Sequence, residues 1–228
     1  MKDTAFLKNT YFARRGIYDN KRIYENTISS YNRAVKYKFG IELDIRLLKD
    51  GTIVCFHDED MMRLLHMEGK IDNLTYDELC YLSKFQIPRL EDALNAINGN
   101  VPIIIQIKEK YRKNSLEIKL CKLLDNYKGN FAIESFHIKP LKWFNKNRPN
   151  FIIGYMIGWK NFRKDTFFKK YDFICIKINT YKPLILKKYK EKKIVIGWRV
   201  NKREDFDINK NFYDTLICDN VLEIFNDK

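Results

Sequence analysis

Glu42 and Asp44 stand two residues apart in the run Gly40-Ile41-Glu42-Leu43-Asp44-Ile45. In an extended strand that spacing turns both carboxylates to one face, about 7 Å apart at their Cα atoms. Ile41, Leu43 and Ile45 take the other face. Two acids on a buried face are costly unless something cationic neutralises them. A hard, oxygen-seeking ion such as Mg2+ or Ca2+ would do so; so would a buried ion network with Arg14, Arg15 or Lys108. The run Ile103 to Lys108 repeats the alternation, with Gln106 and Lys108 sharing a face with Ile104. Lys108 can offer its ammonium to a phosphate oxygen or to Glu42 and Asp44.

His57 follows the apolar run Thr52 to Phe56 and precedes Asp58. That places a side chain able to exchange a proton near neutral pH at a strand end beside the paired acids, where a general acid or base would have to sit. A structural histidine is the alternative. His66 and His137 have no such constellation around them. Arg14-Arg15-Gly16 closes the first apolar run and is followed by Glu25-Asn26-Thr27. Guanidinium groups grip phosphate bidentately and stay charged, whereas Asn26 or Thr27 can cap the helix that follows.

The elements that would carry these residues alternate. Eight β-like runs, Tyr11 to Arg14, Gly40 to Leu47, Pro102 to Lys108, Phe131 to Phe136, Phe151 to Ile157, Asp172 to Ile178, Lys193 to Val200 and Thr215 to Cys218, are separated by longer stretches. Among those stretches, Thr27 to Lys38, Ser115 to Tyr127, Lys139 to Asn147 and Pro183 to Lys190 space their apolar residues as helices do. Parallel strands need crossovers long enough to be helices, and eight such units predict a compact (β/α)8 barrel. An open doubly wound sheet would carry a Gly-rich turn after the first strand, and none is present. One unit departs from the repeat. Asp50-Gly51 marks a hairpin turn after the second strand, and Thr75-x-x-Glu78 has the spacing of a capping box. Residues 51–88 are therefore expected to form a short rim insertion within a single domain spanning 1–228.

The chain has 228 residues, 45% of them hydrophobic, and a formal charge of +14. A chain this long buries a sizeable core without disulfides or a structural metal. Its five cysteines are odd in number, widely spaced and set among apolar neighbours, with no C-x-x-C pair, so they are expected to be small buried residues in a reducing compartment. No window is apolar enough to cross a membrane and the first residues lack a secretory signal, which predicts a cytoplasmic protein. The positive charge is mostly scattered lysine without a basic-aromatic motif. It therefore predicts no nucleic-acid partner but can steer a small anionic substrate toward a cleft.

Taken in order, Arg15-Gly16, Glu25-Asn26-Thr27, Gly40-Ile41-Glu42-Leu43-Asp44, Lys49-Asp50-Gly51, Phe56-His57-Asp58, Ile107-Lys108, Ser135-Phe136, Gly197-Trp198 and Asp219-Asn220 resemble the glycerophosphodiester phosphodiesterase family over nearly the whole chain. The resemblance implies a (β/α)8 barrel that hydrolyses a glycerophosphodiester to glycerol 3-phosphate and an alcohol with one divalent cation. It implies that Glu42 and Asp44 ligate the metal, that His57 is an acid/base, and that Arg15 and Lys108 hold the phosphate. Glu25 would support the metal or bind substrate hydroxyls, and Phe136 and Trp198 would wall the glycerol pocket.

Two positions depart from the family's pattern. Arg14 stands where the family has a histidine acting as second acid/base, and an arginine, with a pKa above about 12, cannot exchange a proton at neutral pH. Gln106 stands where the family has its third metal-ligating glutamate; an amide oxygen can still coordinate a hard cation but brings no charge. These departures imply slowed or altered hydrolysis, or else a catalytically silent member that binds phosphodiesters or polyanions. Glu134, just before Ser135-Phe136, would be a replacement carboxylate if its side chain faces inward.

Overall fold

The computed structural model describes residues 2–84, 86–109, 115–158 and 170–225. The chain enters through a one-turn helix α1 (Phe6–Asn9) and strand β1 (Phe12–Arg14), then α2 (Ile28–Lys36), β2 (Gly40–Leu47) and β3 (Ile53–Cys55). Helix α3 (Met62–Leu65), a 3-10 turn (Ile71–Asn73) and α4 (Tyr76–Leu82) lead to α5 (Leu90–Ile97). A regular alternation follows: β4 (Ile103–Ile107), α6 (Ser115–Leu124), β5 (Phe131–Ser135), α7 (Ile138–Asn147), β6 (Ile153–Ile157) and β7 (Phe173–Lys177). The last elements are α8 (Pro183–Lys190), β8 (Ile194–Val200), α9 (Arg203–Asn209), β9 (Thr215–Cys218) and α10 (Val221–Phe225).

Eight of these strands run parallel and close into a ring, because β1 pairs with β2 on one side and with β9 on the other. β3 stands outside the ring, antiparallel on β2. The architecture is the (β/α)8 barrel with a hairpin after its second strand that the alternation called for, and each expected strand is found within two residues of its expected bounds. No described helix is long and apolar enough to cross a membrane.

The period-two pattern explains both layers. Ile41, Leu43, Ile45, Ile103, Ile105, Ile107, Ile174 and Ile176 face outward into the helix layer. Phe12, Ile104, Ala132, Phe173, Cys175, Ile196 and Ile217 fill the interior, where Phe6 and Leu7 of α1 join them. Gly154 belongs here because a Cβ at that position would lie 2.2 Å from the Phe173 ring. Two residues further along each strand the inward face changes character. Phe12 gives way to Arg14, Ile104 to Gln106 and Ala132 to Glu134, so the bottom of the barrel is oil and the top is charge.

The insertion is built by its own local signals. Gly51 takes the positive φ of +81° that the hairpin turn requires, and the Leu48 amide donates to the Thr52 carbonyl at 2.9 Å. Thr75 caps α4 through a reciprocal box with Glu78. Leu48, Phe56, Ile71 and Leu79 form a small separate core, each full burial contributing about 1.5–3 kcal/mol. One expectation fails in this insertion: Cys80 is exposed on the seven-residue helix α4, while the other four cysteines are buried.

Candidate active site

A cavity of about 100 Å³ opens among the C-terminal ends of the strands. Seven of the ten residues singled out from the sequence line it: Arg14, Glu42, His57, Gln106, Lys108, Phe136 and Trp198. Asp44, Arg15 and Glu25 sit beside or behind it, packed in a network of their own. A larger groove of about 640 Å³ lies outside the barrel along α8, but Pro183, Leu184, Phe212 and lysines line it with a single acid, Glu191.

The network behind the cavity starts from backbone turns. Arg15 and Asn26 both adopt positive φ, +65° and +54°, and the Asn26 amide donates to the Arg15 carbonyl at 3.0 Å. This brings the Asn26 side chain onto Asp44: Nδ2 donates to Oδ2 at 3.0 Å, while Oδ1 accepts from the Asp44 amide at 3.2 Å and from the Tyr31 hydroxyl at 3.0 Å. Arg15 Nε lies 3.0 Å from Asp44 Oδ2 and Lys108 Nζ lies 2.7 Å from Oδ1, ion pairs in distance whose angles fall short of hydrogen bonds. Burial alone would raise the Asp44 carboxyl, but Lys108, His57, Arg15 and Arg14 hold it well below the usual range. Glu25 is equally engaged. Its Oε1 accepts from Arg15 Nη1 and Arg63 Nη2, both at 2.6 Å, and its Oε2 from Asn20 Nδ2 and Arg63 Nη1, both at 2.9 Å. Against the pull of burial, these donors lower it.

Arg15 is paired with Glu25 and Asp44, and Glu25 accepts from Arg15, Arg63 and Asn20 on its two oxygens. Both brace Asp44, which for Glu25 matches the supporting role at the metal site that the resemblance implied, and Arg63 ties the insertion to the rim of the barrel. Thr27 has the capping role, accepting from the Ser30 amide.

The other acids are satisfied far less. Glu42 is buried and neither of its side-chain oxygens has a hydrogen-bond partner. Burial and the Asp44 charge push it up to about 8, against Arg14 and Lys108. Glu134 does face inward, fully buried on β5, and burial pushes it up to about 7. Its Oε1 accepts from Gln106 Nε2 at 3.2 Å, and its Oε2 has no hydrogen-bond partner. Gln106 is itself occupied at both ends, its amide oxygen accepting from Lys108. Burial lowers the Lys108 ammonium, although Asp44 and Glu42 favour its charge.

On the insertion side, His57 Nδ1 lies 2.6 Å from Asp58 Oδ1, and Arg63 Nε donates to Asp58 Oδ2 at 2.6 Å. Burial raises Asp58, but His57 and Arg63 bring it down to about 2, so it is an acceptor at neutral pH. His57 Nδ1 must then carry the proton, leaving a lone pair on Nε2, which lies 3.5 Å from Arg14 Nη2 at the cavity. Burial lowers the His57 pKa, against the pull of Asp44 and Asp58. Arg14 is anchored by Asp219, Oδ1 of which accepts from Nη1 at 3.1 Å, and Arg199 holds the other Asp219 oxygen. Burial disfavours the Arg14 charge, but Glu42, Asp44 and Asp219 outweigh it and hold the guanidinium protonated. Phe136 and Trp198 form an apolar wall, their ring centroids 5.5 Å apart and edge to face.

From the sequence, Asp58 and Asp219 stand only inside longer motifs and Arg63 carries no role. Their tasks, orienting His57, bridging Asp58 to Glu25 and anchoring Arg14, depend on contacts across up to 205 residues of chain. A hint was available for Asp219, which follows the last strand as Arg14 ends the first.

A hard divalent cation fits the donor chemistry of this cavity. Among the described residues, no three His, Cys, Asp or Glu side chains are gathered as they stand for metal coordination, and Lys108 already holds Asp44. The three unpartnered buried oxygens of Glu42 and Glu134 are nevertheless hard ligands without a donor, the type Mg2+ and Ca2+ take.

Comparison with known proteins agrees with this geometry. The sequence profile of the glycerophosphoryl diester phosphodiesterase family matches residues 15–150. A glycerophosphodiester phosphodiesterase of Caldanaerobacter subterraneus subsp. tengcongensis is 32% identical over 65% of this chain and 66% of its own length. One of Bacillus altitudinis is 30% identical over 61% and 62%. The chain thus spans just under two thirds of these relatives. In fold it is similar to a glycerophosphodiester phosphodiesterase from Thermotoga maritima, with a TM-score of 0.78 and 24% identity over 93% of this chain and 96% of that one. It is also similar to an Oleispira antarctica phosphodiesterase in complex with the product sn-glycerol-3-phosphate, with a TM-score of 0.84 and 18% identity over 94% of each.

Proposed function

The chain belongs to the glycerophosphoryl diester phosphodiesterase family, and from that premise we propose that it hydrolyses small glycerophosphodiesters to glycerol 3-phosphate and an alcohol, with a divalent cation, Mg2+ or Ca2+. The observation that carries the reading is the His57 ring: it is fixed by Asp58, and its unprotonated Nε2 is turned toward Arg14 in a cavity that also holds Glu42 and Lys108.

Arg14 and Lys108 bring two positive charges to that cavity and would bind the phosphodiester. Glu42 and Asp44 would hold the cation, whose chemistry is Lewis-acid polarisation of a phosphoryl oxygen. His57 Nε2 would take a proton from the attacking water as its oxygen bonds to phosphorus and return it to the departing alcohol oxygen as that P–O bond breaks, with Asp58 stabilising the imidazolium between the two transfers. Phe136 and Trp198 would pack the carbon skeleton of the glycerol and exclude water. Arg14 cannot shuttle a proton, so His57 carries the proton transfers alone, and slow turnover is expected.

The test is cation-stimulated release of glycerol 3-phosphate from glycerophosphocholine and related diesters. His57→Ala is expected to reduce the rate by about 10² to 10⁴, the typical worth of one acid/base. Release no faster than in His57→Ala, with or without Mg2+ or Ca2+, would overturn the hydrolase reading. A second reading, a silent binder of phosphodiesters, is favoured by the Lys108 ammonium already sitting on Asp44. It predicts diester binding without turnover and without need for a cation.

A further inference from the structure

The register of the barrel sets three inward side chains side by side: Asp44 on β2 pairs with Gln106 on β4, which pairs with Glu134 on β5. Gln106 divides its neighbours. Its amide oxygen accepts from Lys108, which also holds Asp44, and its Nε2 donates to Glu134 Oε1. The amide oxygen is thus already engaged by the Lys108 cation, and the amide turns one edge of Glu134 while leaving the other edge, Oε2, bare.

Two other acids at this end of the barrel are surrounded differently. Glu25 and Asp44 are surrounded by guanidinium, ammonium and amide donors. Glu134, with 0% exposure, forms no ion pair among the described residues within 4 Å, and only the weak Cys175 thiol leans on it besides Gln106. Glu42, 1% exposed on the same cavity and close enough to feel the charge of Glu134, lacks partners on both oxygens. Burying such oxygens without donors is costly, and an ion between the two acids would remove that cost.

We propose that Glu134 is a ligand of the cation site, supplying from β5 a carboxylate that acts with Glu42 and Asp44, while Gln106 is the positioning residue that orients it. The inference rests on the metal-dependent reading above and adds to it a ligand that Gln106 does not provide.

Calorimetric titration of the full chain with MnCl2, MgCl2 and CaCl2, paired with the cation-induced rise in Tm, tests it without any substrate. Glu134→Gln is expected to weaken the affinity at least ~10-fold, no less than the loss of an outer-shell partner costs at other metal sites, and to shrink the rise in Tm. Glu42→Gln is expected to do the same. The exchange Gln106→Glu with Glu134→Gln, which moves the carboxylate one strand back, is expected to recover most of the affinity. Unchanged affinity in Glu134→Gln with loss in Glu42→Gln would overturn the role of Glu134 and leave the metal site standing. No binding of any of these ions by the unaltered chain would overturn both. Should Glu134→Gln fail to fold in chelator, Glu134→Asp, which keeps the charge and withdraws it by one methylene, must show the same weakening or the inference falls.

Discussion

On one side of the barrel mouth Glu25 and Asp44 have cationic or amide groups against both of their oxygens; on the other, Glu42 and Glu134 keep three oxygens bare. All four are buried to the same degree. The difference is therefore one of partners, not of depth, and it marks which carboxylates keep lone pairs to give. A fully paired acid holds neighbouring loops in place, whereas a buried acid left unpaired is a position where stability has been given up and a ligand can recover it.

The sharpest way to break this comparison is to remove a paired acid. Glu25→Ala leaves the almost wholly buried Arg15 with Asp44 alone and Arg63 with Asp58 alone, the two guanidinium groups facing each other without the acid between them. Urea denaturation should show a loss of about 3–5 kcal/mol, as for other buried pairs deprived of one partner; a loss below about 1 kcal/mol would mean that the network is not holding the rim. The unpaired side should answer with the opposite sign. Glu42→Leu removes two bare oxygens from the interior, and in chelator it should raise stability by about 1–3 kcal/mol while abolishing cation binding. If Glu42→Leu instead destabilises the chelated protein, Glu42 has a structural partner role and the contrast collapses.

An effect also of opposite sign on the two sides is expected from pH. Glu25 and Asp58 are held below their ordinary values, Asp58 at about 2, so the stability they contribute is present above about pH 4.5 and is lost as pH falls toward those lowered values. Glu42 and Glu134 are raised to about 8 and about 7. The folded chain keeps their protons while the unfolded chain has released them, so stability falls as pH rises from about 4.5 to about 8. Denaturation midpoints in chelator should thus peak near pH 5 and decline in both directions, and Glu42→Leu should flatten the alkaline limb. A midpoint that climbs steadily from pH 5 to 8 would contradict the assignment of bare acids.

How much of this could be read beforehand follows from the range of the forces involved. The strands and the hairpin were legible because their signals are local: alternation in Ile41 to Ile45 and Ile103 to Ile107, Asp50-Gly51, and Thr75 with Glu78. So was the shared face of Glu42 and Asp44, since two residues of strand fix it. Which acid is paired and which is bare was not legible. It depends on where the ends of long side chains go, as when Arg15 turns back to Glu25, or when Arg63 crosses from the insertion to the same acid. Glu134 was one residue from a readable motif, but only the β4–β5 register shows it facing Gln106.

Arg63→Lys gives the smallest effect and probes the seam between the two sides. The Arg63 fork reaches both Glu25 oxygens while its Nε holds Asp58, so one side chain couples the paired acid to the histidine that faces the cavity. A lysine has the charge but not the fork, and can serve Glu25 or Asp58, not both in this geometry. Because Arg63 is 43% exposed, solvent screens the pair and the loss of stability should be no more than about 1 kcal/mol, shrinking further at ~1 M salt. The pH profile of turnover should move more than stability does. With Asp58 less firmly held, the proton on His57 Nδ1 is less well fixed and the apparent pKa of the limb governed by His57 should shift. An Arg63→Lys protein that loses stability but retains the original pH profile would show that the bridge belongs to the scaffold alone and stops short of the catalytic side.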